Sequence, residues 1–312
     1  MAQEMKVEGR VQKSNKLRSQ LRTDLIGLGF IAPWLVGFLG FIVGPMLVSL
    51  YFSFTNYDLL STPVWIGLEN YVQMFTNDDR FWKAIRVTFI FVFGSVPLKL
   101  AFALFVAMLF NTKRRGVGLY RTLYYVPSIL GGSVAIAVVW KQLFGMNGAI
   151  NDVLGFFGIS GTDWVASPDF ALSTLIILVV WQFGSPMLIF LAGLKAIPYE
   201  LYEAASVDGA NPVVQFFKIT LPMLSPVIFF NLVMQTIHGF MAFTQSFLIT
   251  EGGPMDNTLF YAVYLYEKAF AHFDMGYASA LAWVLLLICA LFTAFIFRTA
   301  KSWVYYESEG GN

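Results

Sequence analysis

Lys195-Ala-Ile-Pro-Tyr-Glu-Leu-Tyr-Glu-Ala-Ala-Ser-Val-Asp-Gly-Ala-Asn-Pro212, running on to Lys218-Ile-Thr-Leu-Pro222, is the stretch on which the reading of this chain turns. Its residues predict a short helix, a turn and a second helix. Pro198 suits a first helical turn, where its missing N–H has no intrahelical use. Leu201, Tyr202, Glu203, Ala204 and Ala205 are mostly good helix formers. Asp208-Gly209 supplies a stop, because glycine takes the left-handed conformation past a helix end without penalty. Asn211 then caps a new helix whose first-turn residue is Pro212. Pro222 marks the start of the next apolar run. At about 28 residues, the segment is long for a plain helix connection, and a compact polar hairpin of this kind suits docking onto a soluble partner.

On both sides of this loop the chain is apolar over lengths that cross a bilayer. A helix needs about 20 mostly apolar residues to do so, and six stretches qualify: 25–54, 83–110, 122–144, 171–194, 223–249 and 277–297. Backbone groups in lipid must be paired within the segment, which makes these helices rather than isolated strands. Barrel strands would instead alternate over segments of about ten residues. Pro33, Pro45, Pro97, Pro127, Pro186 and Pro226 fall inside the spans and are expected to kink rather than end them. Composition agrees: 57% of the 312 residues are hydrophobic and 12% charged, against about 25% charged in a soluble domain. The expectation is an all-α membrane protein with six transmembrane helices: a tail at 1–24, a span domain at 25–298 and a second tail at 299–312.

Basic residues orient the spans, since they concentrate on the cytoplasmic side. Lys6, Arg10, Lys13, Lys16, Arg18 and Arg22 precede the first span. Lys113, Arg114, Arg115 and Arg121 follow the second, Lys195 and Lys218 the fourth, and Arg298 and Lys301 the sixth. The alternate loops offer Arg80 and Lys268. Both termini and the 195–222 loop are therefore expected to be cytoplasmic. The first apolar run is far longer than the roughly 7–15 residues of a signal-peptide core, so it is read as a retained span. On the outer side, Asp152, Asp163, Asp169 and Trp164 predict a folded cap, and 251–275 forms a second long outer segment.

The loop also carries a resemblance. Glu203-Ala204-Ala205, Gly209, Ile219 and Leu221-Pro222 reproduce the EAA signature of bacterial ABC importer permeases: EAA, three residues, G, nine residues, I, one residue, LP. Asp208 and Ala210 flank the glycine as in the sugar-permease form. Gly67-Leu-Glu-Asn-Tyr71, Tyr120-Arg-Thr-Leu-Tyr-Tyr-Val-Pro127 and Thr250-Glu-Gly-Gly-Pro254 extend the likeness along most of the chain, and the whole is similar to the maltose-type oligosaccharide permeases. The resemblance implies a type I ABC importer permease fold in a bacterial cytoplasmic membrane. It also implies a second six-span permease, two copies of a cytoplasmic ABC ATPase and an external sugar-binding protein as partners. Within it the 203–205 helix docks on the ATPase, with Glu203 meeting basic groups, Ala204 and Ala205 allowing close approach, and Gly209 setting the turn.

The same resemblance implies that ATP and Mg belong to that partner. No G-x-x-x-x-G-K-[ST] phosphate loop occurs in this sequence, so the chain is expected to bind no cofactor and to be no enzyme itself. A single cysteine, Cys289, excludes an intrachain disulfide or a cysteine-built metal site. A formal net charge of +1 argues against a nucleic-acid partner.

Polar side chains at membrane depth mark candidate substrate contacts. Asn231, Gln235, His238 and Gln245 recur at one helical face of the fifth span, and their donors and acceptors suit sugar hydroxyls. The same residues also suit interhelical hydrogen bonding. Trp181 and Gln182 in the fourth span are candidates for the same path. Lys99, inside the second span, is expected to snorkel, pair or face water, and Lys141 to snorkel near the outer end of the third; neither is read as a substrate contact. The spans hold no basic stripe, which disfavours a highly anionic substrate. A lone ion-coupled carrier would call for acidic residues in the spans, and the predicted cores have none. A non-transporting assembly factor would leave the EAA signature without a purpose.

Overall fold

A computed structural model describes residues 27–112 and 116–305. The basic tail from Lys6 to Arg22, the loop residues Lys113, Arg114 and Arg115, and residues 306–312 of the second tail lie outside the described residues. Among the described residues four helices are long and apolar enough to cross a membrane: α1 (Gly27–Phe52), α3 (Asp79–Phe110), α10 (Pro212–Phe240) and α12 (Met275–Ala300). Two further spans are bent pairs. In one, α4 (Val117–Leu130) meets α5 (Val134–Phe144) at a break in a segment bent by 96°; in the other, α7 (Ala171–Trp181) and α8 (Gly184–Ala196) meet at 43°.

The third expected span is thus not one straight helix. Gly131, Gly132 and Ser133 interrupt it, and Ser133 caps α5 by accepting the Ile136 N–H. The second span starts a turn earlier than expected, because Asp78 caps it by accepting the Phe81 N–H. The fifth is displaced most. It begins at Pro212 rather than 223 and stops at Phe240 rather than 249.

Prolines account for two local distortions. A π-helical turn at Leu39–Val43 ends two residues before Pro45, and another at Phe216–Thr220 ends two residues before Pro222. A proline ring in a helix collides with the carbonyl four residues earlier. A widened turn moves that carbonyl aside, so each helix passes its proline unbroken. Pro222 is therefore an interior residue of α10 and not its beginning.

Helix α3 is the centre of the bundle, packed against α7, α8 and α10. Its inward face carries Ala84, Phe91, Val96, Ala103 and Ala107, all buried. Helix α1 packs on α12 and otherwise presents apolar side chains outward, as Phe30 and Phe41 show. An all-round apolar surface suits lipid, not water. The chain after α12 folds back: Trp303 packs on Phe229, and the Tyr305 N–H bonds to Ser225 Oγ at 2.8 Å.

At the end of the bundle opposite the 195–222 loop, a two-stranded ribbon (β1, Thr55–Asn56; β2, Val64–Trp65) and α2 (Glu69–Thr76) close the first connection. Asn70 holds it by donating to the carbonyls of Ser53 and Thr55. The expected folded cap is present, built on α6 (Ala149–Phe156), and its organiser is Asn151. The Asn151 amide donates to the carbonyls of Gly145, Met146 and Thr162 and accepts from Trp164 Nε1 at 2.7 Å. The 251–275 segment contains α11 (Tyr261–Tyr266), continued by a π turn over Glu267–Ala271.

Candidate functional site

Two features stand apart from the packed bundle. One is α9 (Tyr199–Val207), a helix without a single buried residue. Pro198 sits at its N-cap, one place before the expected first turn. Asp208 is its C-cap and Gly209 follows at φ +80°. The Gly209 N–H bonds to the Ser206 carbonyl and the Ala210 N–H to the Ala205 carbonyl, which is the Schellman pattern. Asn211 Oδ1 accepts the Val214 N–H at 2.9 Å, restarting the chain as α10. Glu203, Ala204, Asp208 and Gly209 are exposed and Ala205 is half-buried, while Ile219, Leu221 and Pro222 are partly packed at the root. The signature thus divides into a presented surface and an anchor. Tyr202 links them, its hydroxyl lying 2.9 Å from Thr220 Oγ1.

A Cβ at position 209 would meet open space, so only the backbone resists substitution. Left-handed backbone costs an L-residue roughly 1–2 kcal/mol. Gly209→Val is accordingly expected to speed hydrogen exchange of the 205–210 amides about 5–30-fold, with thermal unfolding of the bundle unchanged.

The second feature is a cavity of about 460 Å³, within the range of small-molecule sites. It lies among α3, α4, the α7–α8 break and the end of α10. Three chain interruptions converge near it: 131–133, 182–183 and 241–243. Irregular backbone at membrane depth persists only where protein buries it or a water-filled cavity receives it. Here two breaks pair with each other. Pro186 has no N–H for the Gln182 carbonyl, and Ser128 Oγ donates to that carbonyl instead, at 3.0 Å. The same Ser128 oxygen accepts the Ser185 N–H, and Gln182 Nε2 donates to the Gly131 carbonyl at 3.1 Å. This contact needs a glycine at 184, where a Cβ would come within 2.7 Å of the Tyr124 carbonyl oxygen.

Of the expected path residues, Gln182, Gln235, His238 and Gln245 line this cavity, joined by Lys99 and Ser95. Gln245 reaches it differently from the single helical face expected, because α10 ends at Phe240 and the chain turns at Met241–Phe243 first. Trp181 lies outside the lining and packs against Trp140. Asn231 is also outside the lining. It is fully buried, and neither of its amide atoms has a hydrogen-bond partner among the described residues. An unpaired buried amide costs about 1–3 kcal/mol, so Asn231→Leu, close in volume, is expected to stabilise the protein by about that amount in detergent unfolding.

A third group, on the side opposite α9, has no counterpart in the sequence reading. The Asp78 carboxylate accepts the hydroxyls of both Tyr264 and Tyr277. Lys268 lies 5.5 and 5.1 Å from those two ring centres. Arg80 pairs with Asp256 and Glu267, each at 3.0 Å, and Lys83 donates to the Met255 carbonyl. These contacts join the starts of α3 and α12 to the 251–275 segment.

A bundle with broken spans around a polar cavity, and a presented helical loop, defines an α-helical membrane transport protein. The chain belongs to the family of binding-protein-dependent transport system inner membrane components, whose profile matches residues 77–302. It is 56% identical over 94% of its length to the "Probable ABC transporter permease protein YesP" of Bacillus subtilis (strain 168), 96% of which is covered. It is 33% identical to the "Lactose transport system permease protein LacF" of Rhizobium radiobacter, over 91% of this chain and 97% of that one. Its fold matches a chain of a bacterial ABC transporter that imports the acidic polysaccharide alginate, with TM-score 0.78 and 21% identity, over 92% and 98% of the two chains.

Proposed function

We propose that this chain is one of two permease subunits of an ATP-driven sugar importer of the oligosaccharide class, in the cytoplasmic membrane of a bacterium. The observation that carries the reading is α9: a helix with no buried residue, ended by a left-handed glycine and bearing Glu203-Ala204-Ala205 outward. Its exposed Tyr199 and Val207 are apolar surface awaiting a partner. In this account the partner is an ABC ATPase, present in two copies and carrying the ATP and Mg. A second six-span permease completes the path, and an external binding protein delivers the sugar. The likeness to a lactose transport system permease supports the substrate class. The distribution of basic residues supports placing both termini and the 195–222 loop in the cytoplasm.

Coupling follows from the continuity of α10. The Tyr202–Thr220 contact ties the docking helix to its base. From there α10, 29 residues long in all, runs without a break to Gln235 and His238 at the cavity. Movement of α9 by ATPase closure is thereby delivered to the cavity wall by one rigid element, the kind of two-state linkage that allostery requires. The chain contributes positioning and motion; bond breaking takes place on the ATPase.

The test is purification of the tagged chain from gently solubilised native membranes, with its partners identified by mass spectrometry. Recovery of a second permease and a phosphate-loop ATPase is the expected result. A preparation containing this chain alone, moving sugar into vesicles without ATP, would replace the importer reading with a lone carrier.

A further inference from the structure

We propose that the cavity receives a sugar bearing a single carboxylate, and that Lys99 selects it; this rests on the importer reading and deepens it. Lys99 lies within α3, and its side chain lines the cavity. An ammonium within a membrane span must reach the interface, pair with an anion, or face a water-filled path. No carboxylate lines the cavity among the described residues, and none there forms an ion pair with Lys99. The other polar lining groups are neutral amides and hydroxyls, together with His238. The described residues of this chain thus supply no anion for Lys99.

Ser95 supplies an independent observation. It sits one helical turn before Lys99, so both project from the same face of α3. It is 1% exposed, lines the cavity, and its hydroxyl has no hydrogen-bond partner among the described residues. A buried hydroxyl left unpaired is costly. A carboxylate has two oxygens, one to take the ammonium and one to take the Ser95 hydroxyl. The Gln235, His238 and Gln245 side chains then remain for the neutral hydroxyls of the sugar rings. One cation matches one carboxylate. A polyanion would leave charges unpaired in this cavity, so the occupant is a short oligosaccharide with one uronate at this position.

The experiment is uptake by cells carrying the complete transporter, using a panel of disaccharides each with one uronate residue and their carboxyl-reduced neutral counterparts. Strains carry wild-type, Lys99→Met or Lys99→Arg permease. The binding protein is the same in every strain, so a change in acid-to-neutral ratio reports on the permease. Hydrogen bonds to charged groups contribute about 1.5–3 kcal/mol. The expected result is therefore uptake of an acidic member exceeding its reduced counterpart by about tenfold or more. That preference should disappear in Lys99→Met and return in Lys99→Arg, with equal amounts of ATPase co-purifying from all three. Equal uptake of the neutral sugars, or an unchanged ratio in Lys99→Met, would overturn the proposal. So would uptake of no acidic member with the ATPase still bound, which would leave the importer reading standing. Loss of the ATPase from wild-type complex would remove the importer reading itself.

Discussion

Replacing Glu203 with lysine is expected to abolish ATP-driven sugar uptake while leaving the chain folded in the membrane. Glu203 is exposed, it has no ion pair among the described residues, and α9 buries nothing of its own. A surface change of this kind usually alters stability by less than about 0.5 kcal/mol. Against basic groups on the proposed ATPase partner, the same change would set like charges face to face, which costs several kcal/mol. Since each 1.4 kcal/mol is tenfold, uptake should fall about a hundredfold or more. Glu203→Gln removes the attraction without adding repulsion and should fall between. Radiolabelled sugar uptake, normalised to permease content of the membranes, checks both variants. Loss of uptake with normal content is the predicted pattern, whereas loss of the protein would assign Glu203 to folding instead.

Asp78→Asn should have the largest effect on stability. The carboxylate caps α3 and receives two tyrosine hydroxyls from α11 and α12. An asparagine keeps one acceptor oxygen and turns an NH2 donor toward groups that also donate. Each hydrogen bond to a charged group contributes about 1.5–3 kcal/mol, so a loss of about 3 kcal/mol is expected in denaturation of the detergent-solubilised protein.

The pH dependence of that loss has a definite sign. Burial raises the Asp78 pKa, but the hydroxyls of Tyr264 and Tyr277, the Phe81 N–H and the Lys268 charge together outweigh it and hold the carboxyl below its ordinary value. A depressed folded-state pKa means stability that is fully present above the unfolded value, about 3.9, and lost as pH falls through the folded one. The gap between wild-type and Asp78→Asn should be constant from neutral pH down to about 5 and close only below about 4. A gap that closed near neutrality instead would mean that Asp78 is protonated in the folded protein.

What the sequence discloses here is set by how local each signal is. Span length is local, and every one of the six apolar runs reappears as a helix or a bent pair. The turn at Asp208–Asn211 is local too, since a glycine, an asparagine and a proline each impose their own backbone. The break at 131–133 was visible as Gly-Gly-Ser, but apolar content averaged over about 20 residues conceals it. The break at 182–183 has no breaker of its own and arises from Pro186, four residues beyond the carbonyl that it leaves to Ser128. Continuity of α10 through Pro222 depends on a widened turn that residue propensities do not contain. The Asp78 cluster joins residues 186 and 199 positions apart, a pairing that no spacing rule supplies. Lys99 is an instance of the same limit: the sequence places it in a span, but only the packing of α3, α8 and α10 decides that it faces a cavity.

The measurement that bears most directly on the account is photo-crosslinking from α9. Val207 is 88% exposed on that helix, and a photoreactive amino acid in its place should capture its partner in native membranes. The account predicts a crosslink to a phosphate-loop ATPase, with a yield that changes when ATP is added. Crosslinks to lipid alone, with ATP-dependent sugar uptake intact, would contradict it.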